Sequence, residues 1–361
     1  MNGVIANDLL TIKRGYELLG DSTRFNIKTM KNNRANLLLL SMLILSFSQC
    51  SPSENTQRNY AQKVNLNTEV KTVKSLKITT LSTMLASQGI GEWGYSALVE
   101  VDGRKILFDT GRRPETVLQN AEELGIDLSE VEEVFLSHNH GDHTGGLVTL
   151  RKKLKAYNPK AMSKIHVGEG IFEQRINFRN RMLEIKEELE ADGVTFIVYK
   201  EKSELFPGVW ITGPIDRIHP EKNYGGRAKI ATKEGTKVDD IPEDQSLVIN
   251  TEKGFVLLAG CGHAGIINTL EFVRSNIQEK NTYAIIGGFH LVNATDQALE
   301  WTAKKLADFG VSKIIGAHCT GINSLYTLKR LLNLEREDAV VGSVGDSFDL
   351  STGINPSIIA R

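Results

Sequence analysis

Three histidines and one aspartate stand within six consecutive residues of this chain, in the stretch LSHNHGDHTGGL that spans residues 136–147. Histidine is a poor core filler and a poor helix former, so packing alone gives no reason for such a cluster. The spacing suits two divalent ions, because His138 and His140 can approach one ion while Asp142 and His143 address a second. We therefore expect a two-metal site here rather than an ordinary polar turn.

The segments around this stretch predict an α/β fold. Residues 96–111, SALVEVDGRKILFDTG, predict two antiparallel strands joined at Asp102 and Gly103, a dipeptide favoured in two-residue hairpin turns. Residues 295–310, TDQALEWTAKKLADFG, predict a helix with Thr295 as its N-cap. The glycine-rich segment NYGGRAKIATKEGTKVDD, residues 223–240, is predicted to form a surface loop. The histidine stretch itself leaves the end of the predicted strand VEEVFLSH.

Six of the eight histidines follow an apolar strand and stand among glycines. They are His138, His140, His143, His263, His290 and His318. Loops at strand ends carry the binding sites of α/β folds, because they hold polar groups that the strands cannot. We therefore expect these six side chains to form one site, with His166 and His219 outside it.

The N-terminal part of the chain is predicted to lie outside the fold. Residues 30–50, MKNNRANLLLLSMLILSFSQC, resemble a bacterial lipoprotein signal, in which Cys50 would carry the lipid. Residues 1–29 would then be translated from a start codon placed too far upstream, the alternative being a cytoplasmic overhang. The expected division is residues 1–50 for overhang and signal, 51–70 for a polar tether and 71–361 for the folded domain. The chain would be exported and membrane-anchored, the alternatives being ordinary secretion, an uncleaved anchor or a cytoplasmic protein.

Charge narrows the range of partners. The formal net charge is −1 and basic and acidic residues are mixed along the chain. Such a surface offers no field to hold a nucleic-acid backbone or an anionic membrane. We expect a small-molecule substrate, no nucleic-acid partner, and membrane contact only through the N-terminal anchor, with the oligomeric state left open.

Four motifs in order, ILFDTG, SHNHGDHTGG, AGCGH and GAHCTG, resemble the metallo-β-lactamase superfamily. The resemblance implies an αββα sandwich, with two mixed sheets flanked by helices and metals held at one edge. The segments EWGYSALVE, AGCGHAGIINTL and GGFHL are similar to a branch named for a methanopterin-pathway synthase, which joins a pterin unit to a ribofuranosyl-aminobenzene phosphate.

The resemblance also implies roles for individual residues. His138 and His140 would bind the first metal, and Asp142 and His143 the second. His318 stands where the family has its final ligand to the second metal, the alternative being a core histidine. Asp109 would be a carboxylate that orients a ligand, the alternative being a strand-end turn residue.

This sequence departs from the family pattern at Cys261 and His263. Many members have an aspartate at the first position and a separate histidine some twenty residues earlier, where this chain has only PEDQS. We infer that His263 supplies the missing ligand to the first metal. Cys261 has three interpretations: a thiolate that bridges the metals or binds the second one, a small buried residue, or half of a disulfide with Cys319.

His290 follows the buried-looking strand TYAIIGGF and is expected to emerge at the metal edge. Because the ligand set is already filled, we predict that it contacts substrate or transfers a proton. The alternatives are a hydrogen bond to a neighbouring loop and metal ligation in place of His263.

These assignments predict a binuclear metallohydrolase that uses a metal-bound hydroxide on an ester, amide, lactone or phosphoester, with Asp142 holding the water. Zinc is the expected metal, with iron and manganese as alternatives. The other function is a transferase of the pterin-linked kind. An exported protein would rarely meet its cytosolic substrate, so the predicted signal favours hydrolysis.

Overall fold

The structure, a computed structural model, describes residues 70–360 apart from residues 177, 222–225, 227, 233 and 234. The predicted overhang and signal, and the tether up to residue 69, lie outside the described residues, so the division of the chain stays a prediction. Among the helices of the described part, none is both long and apolar enough to cross a membrane.

Two large mixed sheets form the centre of the fold. The eight-stranded sheet has, in spatial order, the strands Gly353–Asn355, Ser347–Asp349, Leu76–Ser82, Ser96–Val101, Arg104–Phe108, Glu133–Phe135, Lys164–Gly168 and Thr195–Tyr199. The seven-stranded sheet has the strands Ala339–Val341, Lys313–Gly316, Thr282–Gly287, Gly254–Ala259, Ser246–Thr251, Val209–Ile211 and Ser203–Phe206. Each sheet combines antiparallel and parallel neighbours, as expected. A short parallel pair, Leu85–Ala86 with Ser343–Val344, lies beside them.

Helices cover the outer face of each sheet. The α-helices are Thr116–Glu123, Gly141–Thr144, Leu147–Leu154, Met182–Ala191, Ile266–Asn276, Asp296–Asp308 and Ile322–Leu331, with 3-10 turns at His318–Thr320 and Ile358–Ala360. The hydroxyl of Thr295 accepts a hydrogen bond from the amide of Ala298, so the predicted N-cap is confirmed. The predicted αββα sandwich is therefore the observed architecture.

The alternation of side chains along the strands builds three apolar layers. In Arg104–Phe108, the side chains of Ile106 and Phe108 enter the core between the sheets, whereas Leu107 packs against the helices outside. Successive side chains of a strand point to opposite faces, so one apolar run serves two layers. The predicted turn at Asp102 and Gly103 is also present, with φ of 45° and 77°, and joins antiparallel strands.

One local prediction was wrong. Within residues 223–240, predicted as a surface loop, the strands Lys229–Thr232 and Gly235–Val238 pair as an antiparallel hairpin. Ile230 is 2% exposed and bridges to Arg175, so one face of the hairpin is anchored to the domain. The glycines and lysines of this segment predicted a loop, because the stability of the hairpin comes from this tertiary contact rather than from its own composition.

A buried ion cluster fixes this region. The guanidinium of Arg175, whose side chain is 2% exposed, contacts Asp239 at 2.8 Å and Glu243 at 2.9 Å. We expect Arg175→Met to lower the free energy of unfolding by about 3–5 kcal/mol, because two buried carboxylates lose their counter-ion. Urea unfolding measures this. The matched control is Arg179→Met, an exposed arginine paired with Glu184; equal unfolding midpoints for the two variants would contradict the role of the cluster.

Candidate metal centre

The ends of neighbouring strands bring the candidate side chains together. Asp109 directly follows the strand Arg104–Phe108, and the histidine stretch follows Glu133–Phe135, its parallel neighbour. In the other sheet, the parallel strands Gly254–Ala259, Thr282–Gly287 and Lys313–Gly316 end just before the remaining candidates, which are Cys261, His263, His290 and His318. The carboxyl ends of both sets of strands therefore meet at one edge of the sandwich.

Glycines allow the histidine stretch to pack closely against the segment that follows Asp109. A Cβ atom on Gly145 would lie 1.9 Å from the carbonyl oxygen of Arg112, and one on Gly146 would lie 2.4 Å from that of Thr110. The amides of these glycines donate to the carbonyls of Gly111 and Thr110. These contacts hold the two segments together, so they fix the position of the histidine stretch relative to Asp109.

One group of ligand atoms consists of three imidazoles. The candidate ligand atoms of His138, His140 and His263 all lie within 4.8 Å of one another. The ring centroid of His138 is 4.5 Å from that of His140 and 4.7 Å from that of His263. This group has the composition expected for the first metal, and it includes the histidine that we inferred to replace the missing family ligand.

A second group lies next to the first. Asp142, His143 and His318 also have candidate ligand atoms within 4.8 Å of one another, and Oδ2 of Asp142 lies 3.4 Å from Nε2 of His318. The ring centroids of His138 and His143 are 4.3 Å apart, so the two groups adjoin. The residues assigned to the second metal are therefore gathered as the sequence predicts.

Cys261 lies between the two groups. Its Sγ atom is 3.2 Å from Nε2 of His143, and it forms further candidate ligand groups with His138 and His143 and with His318 and Cys319. Both cysteines are buried free thiols, and their Sγ atoms are 3.3 Å apart. The structure thus shows two thiols rather than a disulfide. It places the sulfur of Cys261 beside candidate ligand atoms of both groups, where a thiolate could bind a metal.

The residues present fit a divalent metal. Nδ1 of His138 lies 2.9 Å from the hydroxyl of Ser137, whereas its Nε2 atom is buried and has no hydrogen-bond partner within the described residues. A buried ring nitrogen without a partner is costly in a protein interior, unless it binds a cation. A set of imidazoles, one carboxylate and a thiol is the donor set that zinc prefers.

Electrostatics keep two of the histidines and Asp142 in states that suit a metal. Burial, reinforced by the neighbouring histidines, holds the pKa of His138 well below its usual value, and burial lowers the pKa of His140 to about 4. Burial alone would raise the pKa of Asp142, but the hydrogen bond with His318 and the nearby His143 lower it. His138 and His140 are therefore neutral imidazoles beside the ionised carboxylate of Asp142, which are the forms that coordinate metals. Burial alone would lower the pKa of His143, but Asp109 raises it to about 9, and burial raises the pKa of the Cys261 thiol, so a metal that binds these two residues would displace protons.

Asp109 positions His143. Its Oδ2 atom lies 2.7 Å from Nδ1 of His143, and the carboxylate also accepts hydrogen bonds from the amide and hydroxyl of Ser137 at 2.8 and 2.7 Å. Asp109 is fully buried and has a φ of 52°. A carboxylate that holds one ring nitrogen directs the other toward the ligand position, here toward Cys261.

We expect Asp109→Asn to weaken binding of one metal by about 10–100-fold, because the charged acceptor that orients His143 is lost. Asparagine tolerates the positive φ at this position, so the change tests the carboxylate rather than the backbone. Competition with a chromogenic chelator measures the affinity. Asp127→Asn is the control, since Asp127 is exposed and bonds only to Ser129 among the contacts described for it; equal affinities in both variants would count against this role.

His290 lies beside the first group without joining any of the candidate ligand groups in the described residues. Its ring centroid is 4.7 Å from that of His263, and it is half-buried with a φ of 49°. His166 and His219 are elsewhere, as expected: His166 contacts Glu133 and Tyr199, and His219 lies against Trp301. The proton-transfer role of His290 stays a prediction.

Sequence reasoning missed two residues that hold the site. Asp244 is buried and accepts a hydrogen bond from the amide of Ala264, next to His263; burial raises its pKa to about 6. Glu92 is buried and accepts hydrogen bonds from Ser82 and from the amides of Arg112 and Arg113. Asp244 lies in PEDQS, the segment that stands where relatives have a histidine, and Glu92 opens the motif EWGYSALVE. Both positions could have been singled out from these motifs.

Comparison with known proteins identifies the family. Residues 94–271 match the metallo-beta-lactamase superfamily. A 7,8-dihydropterin-6-methyl-4-(beta-D-ribofuranosyl)-aminobenzene-5'-phosphate synthase of Methanocaldococcus jannaschii is 32% identical over 272 residues, which are 70% of this chain and 90% of the relative. The chain belongs to the metallo-β-lactamase superfamily. An uncharacterised protein of the same archaeon is 30% identical over 262 residues, covering 70% of this chain and 91% of that protein.

A solved member of the superfamily has the same fold. The crystal structure described as a metal-dependent hydrolase of the beta-lactamase superfamily covers 76% of this chain and 98% of its own, with a TM-score of 0.61 and 24% identity. Both the αββα sandwich and the similarity to the synthase branch, which the four motifs and their neighbouring segments predicted, are therefore confirmed. At this identity the likeness concerns the fold alone.

Proposed function

We propose that this superfamily member is a two-metal hydrolase acting on a small molecule with an ester, amide, lactone or phosphoester bond. The observation that carries the proposal is the pair of adjoining ligand groups with Cys261 between them. In the proposed assignment, His138, His140 and His263 hold one ion, and Asp142, His143, Cys261 and His318 hold the other. Divalent ions in such a site supply a polarised water and stabilise negative charge on the substrate.

The chain's own groups complete the proposed chemistry. Asp142 keeps 20% of its side chain exposed, so its ionised carboxylate can accept a hydrogen bond from a water that enters the site and orient that water. His290 is half-buried next to His263 and can donate a proton to the leaving group. Burial lowers the pKa of His290, which makes it a readier proton donor once it has been charged.

A second candidate function is favoured by one specific observation. The relative that is 32% identical over 90% of its length bears the name of a synthase whose product joins a dihydropterin to an aminobenzene ribofuranosyl phosphate. The same side chains could hold metals that activate such a substrate. Fold and ligand set do not distinguish the two reactions, because one fold can host many different reactions.

A substrate panel separates the two candidates. The purified domain, loaded with zinc, iron or manganese, is offered chromogenic phosphodiesters, lactones, thioesters and β-lactams, and separately a dihydropterin donor with an aminobenzene ribofuranosyl phosphate. We expect turnover of one hydrolysable class, abolished by a chelator and restored by metal. A joined pterin product without hydrolysis of any ester class would favour the synthase and overturn the hydrolase.

We further propose that the chain is exported and anchored through Cys50, which lies outside the described residues. The wild-type full-length protein is expected in the membrane fraction, and Cys50→Ser in the soluble fraction, because the thiol that would carry the lipid is removed. Fractionation with immunoblotting measures this. A wild type of uncleaved length in the cytosol contradicts export and places the protein where a pterin substrate is available.

A further inference from the structure

An exposed indole stands beside the candidate metal centre. The ring centroid of Trp93 lies 4.8 Å from that of His318, with the ring planes tilted by 54°. His318 is 1% exposed, whereas Trp93 is 41% exposed. Trp93 therefore covers a candidate ligand with one part of its side chain and presents the rest to solvent at the rim of the site.

The backbone around Trp93 is fixed to the metal-site segments. The amide of Tyr95 donates to the carbonyl of Asp142 at 3.1 Å, and the buried carboxylate of Glu92 accepts the amides of Arg112 and Arg113. A Cβ atom on Gly94 would lie 2.7 Å from the amide nitrogen of Arg112 and 3.0 Å from the carbonyl oxygen of Asp142. The chain on both sides of Trp93 is thus held tightly, so the indole is presented from a rigid frame.

Two more exposed apolar side chains adjoin the turn that carries His318. Val292 is 43% exposed, its amide donates to the carbonyl of Cys319, and it packs against Gly321. Ile322, 44% exposed, follows that glycine. Exposed apolar groups at the rim of a polar site are a common feature of ligand pockets, where they bury the non-reacting part of a substrate.

We propose that Trp93 is a specificity-determining residue that stacks against a planar aromatic or heteroaromatic ring of the substrate, with Val292 and Ile322 contacting its edge. The inference rests on the proposed function, because it assumes that the reacting group of the substrate is held at the metal centre. An indole held in place loses little conformational freedom on binding, and aromatic stacking adds affinity beyond burial of area. A saturated ring of the same size would bury a similar apolar area against Trp93 but would not stack on the indole.

The test compares phenylphosphonate with cyclohexylphosphonate, which share the metal-binding group, differ in planarity and contain no ester bond that the proposed hydrolase could cleave. Calorimetric titration of the metal-loaded protein should show about fivefold tighter binding of phenylphosphonate, and Trp93→Ala should reduce the ratio to about one. Trp93→Phe should retain a preference. Tyr157→Ala, which removes an aromatic side chain that is 82% exposed on another part of the surface, should bind like wild type.

Two results would overturn the proposal. One is the absence of a preference for phenylphosphonate in the wild type, or a preference that survives in Trp93→Ala. The other is loss of metal from Trp93→Ala, which would mean that the indole merely supports His318. Binding is measured without turnover, so a failure of the hydrolase proposal in the substrate panel would be seen separately from a failure of this one.

Discussion

His140→Ala is expected to bind about one divalent ion per chain where the wild type binds two, and to lose most of its activity. His140 is one of three imidazoles whose ligand atoms lie within 4.8 Å of one another, so its removal leaves two protein ligands for that ion. A metal site with an incomplete set of ligands binds weakly, and the polarised water is lost with the ion. Elemental analysis by mass spectrometry and turnover on the same sample measure both effects.

The matched control for this variant is His219→Ala. His219 lies against Trp301 and near Glu271, at a distance from the ligand groups, and its imidazole is partly exposed. It should retain two ions per chain and wild-type turnover. A fully metallated and active His140→Ala protein would mean that the first group of histidines is not a metal site.

His290→Ala is expected to retain both metals and to lose turnover by about a hundred- to ten-thousand-fold, the usual contribution of a positioned proton donor. The expectation rests on the position of His290, which is 4.7 Å from His263 between ring centroids yet belongs to none of the ligand groups in the described part of the chain. The pH dependence of turnover should lose one of its two limbs in the variant, because one titrating group is removed.

The backbone at His290 requires a second variant. Its φ of 49° is unfavourable for alanine, whereas asparagine adopts this conformation readily. His290→Asn should therefore show the same loss of turnover with an unchanged thermal midpoint. Unchanged turnover in both variants would make His290 a structural residue, and loss of metal from either would make it a ligand.

Much of the site was predictable because metal chemistry constrains sequence strongly. The spacing of His138, His140, Asp142 and His143 leaves few other uses for such a loop, and strand ends placed His318 at the same edge. The replacement of an absent family histidine by His263 could also be inferred. His263 stands at a strand end, two residues after Cys261, so it was expected at the same edge. The structure brings all of these side chains together.

Other features depend on tertiary contacts that short sequence patterns do not carry. The hairpin Lys229–Thr232 with Gly235–Val238 buries Ile230 but leaves Val238 60% exposed, and it is held by a bridge to Arg175. The strands Lys164–Gly168 and Ser203–Phe206 are short and gain their stability from neighbours in a sheet, so their own residues carry little signal. The position of Trp93 at the rim of the site could not be predicted from the sequence, because it depends on the contact of its ring with His318.

The central claim is that this chain holds two divalent ions at one edge of the sandwich. Its most direct test is to count metal in the purified wild-type protein by plasma mass spectrometry, against protein concentration from amino-acid analysis. We expect two ions per chain. In Asp109→Asn, the ion held by Asp142, His143 and His318 should be released before the other, since His143 is the ligand that Asp109 orients. One ion or none, after reconstitution with zinc, iron or manganese, would contradict the account.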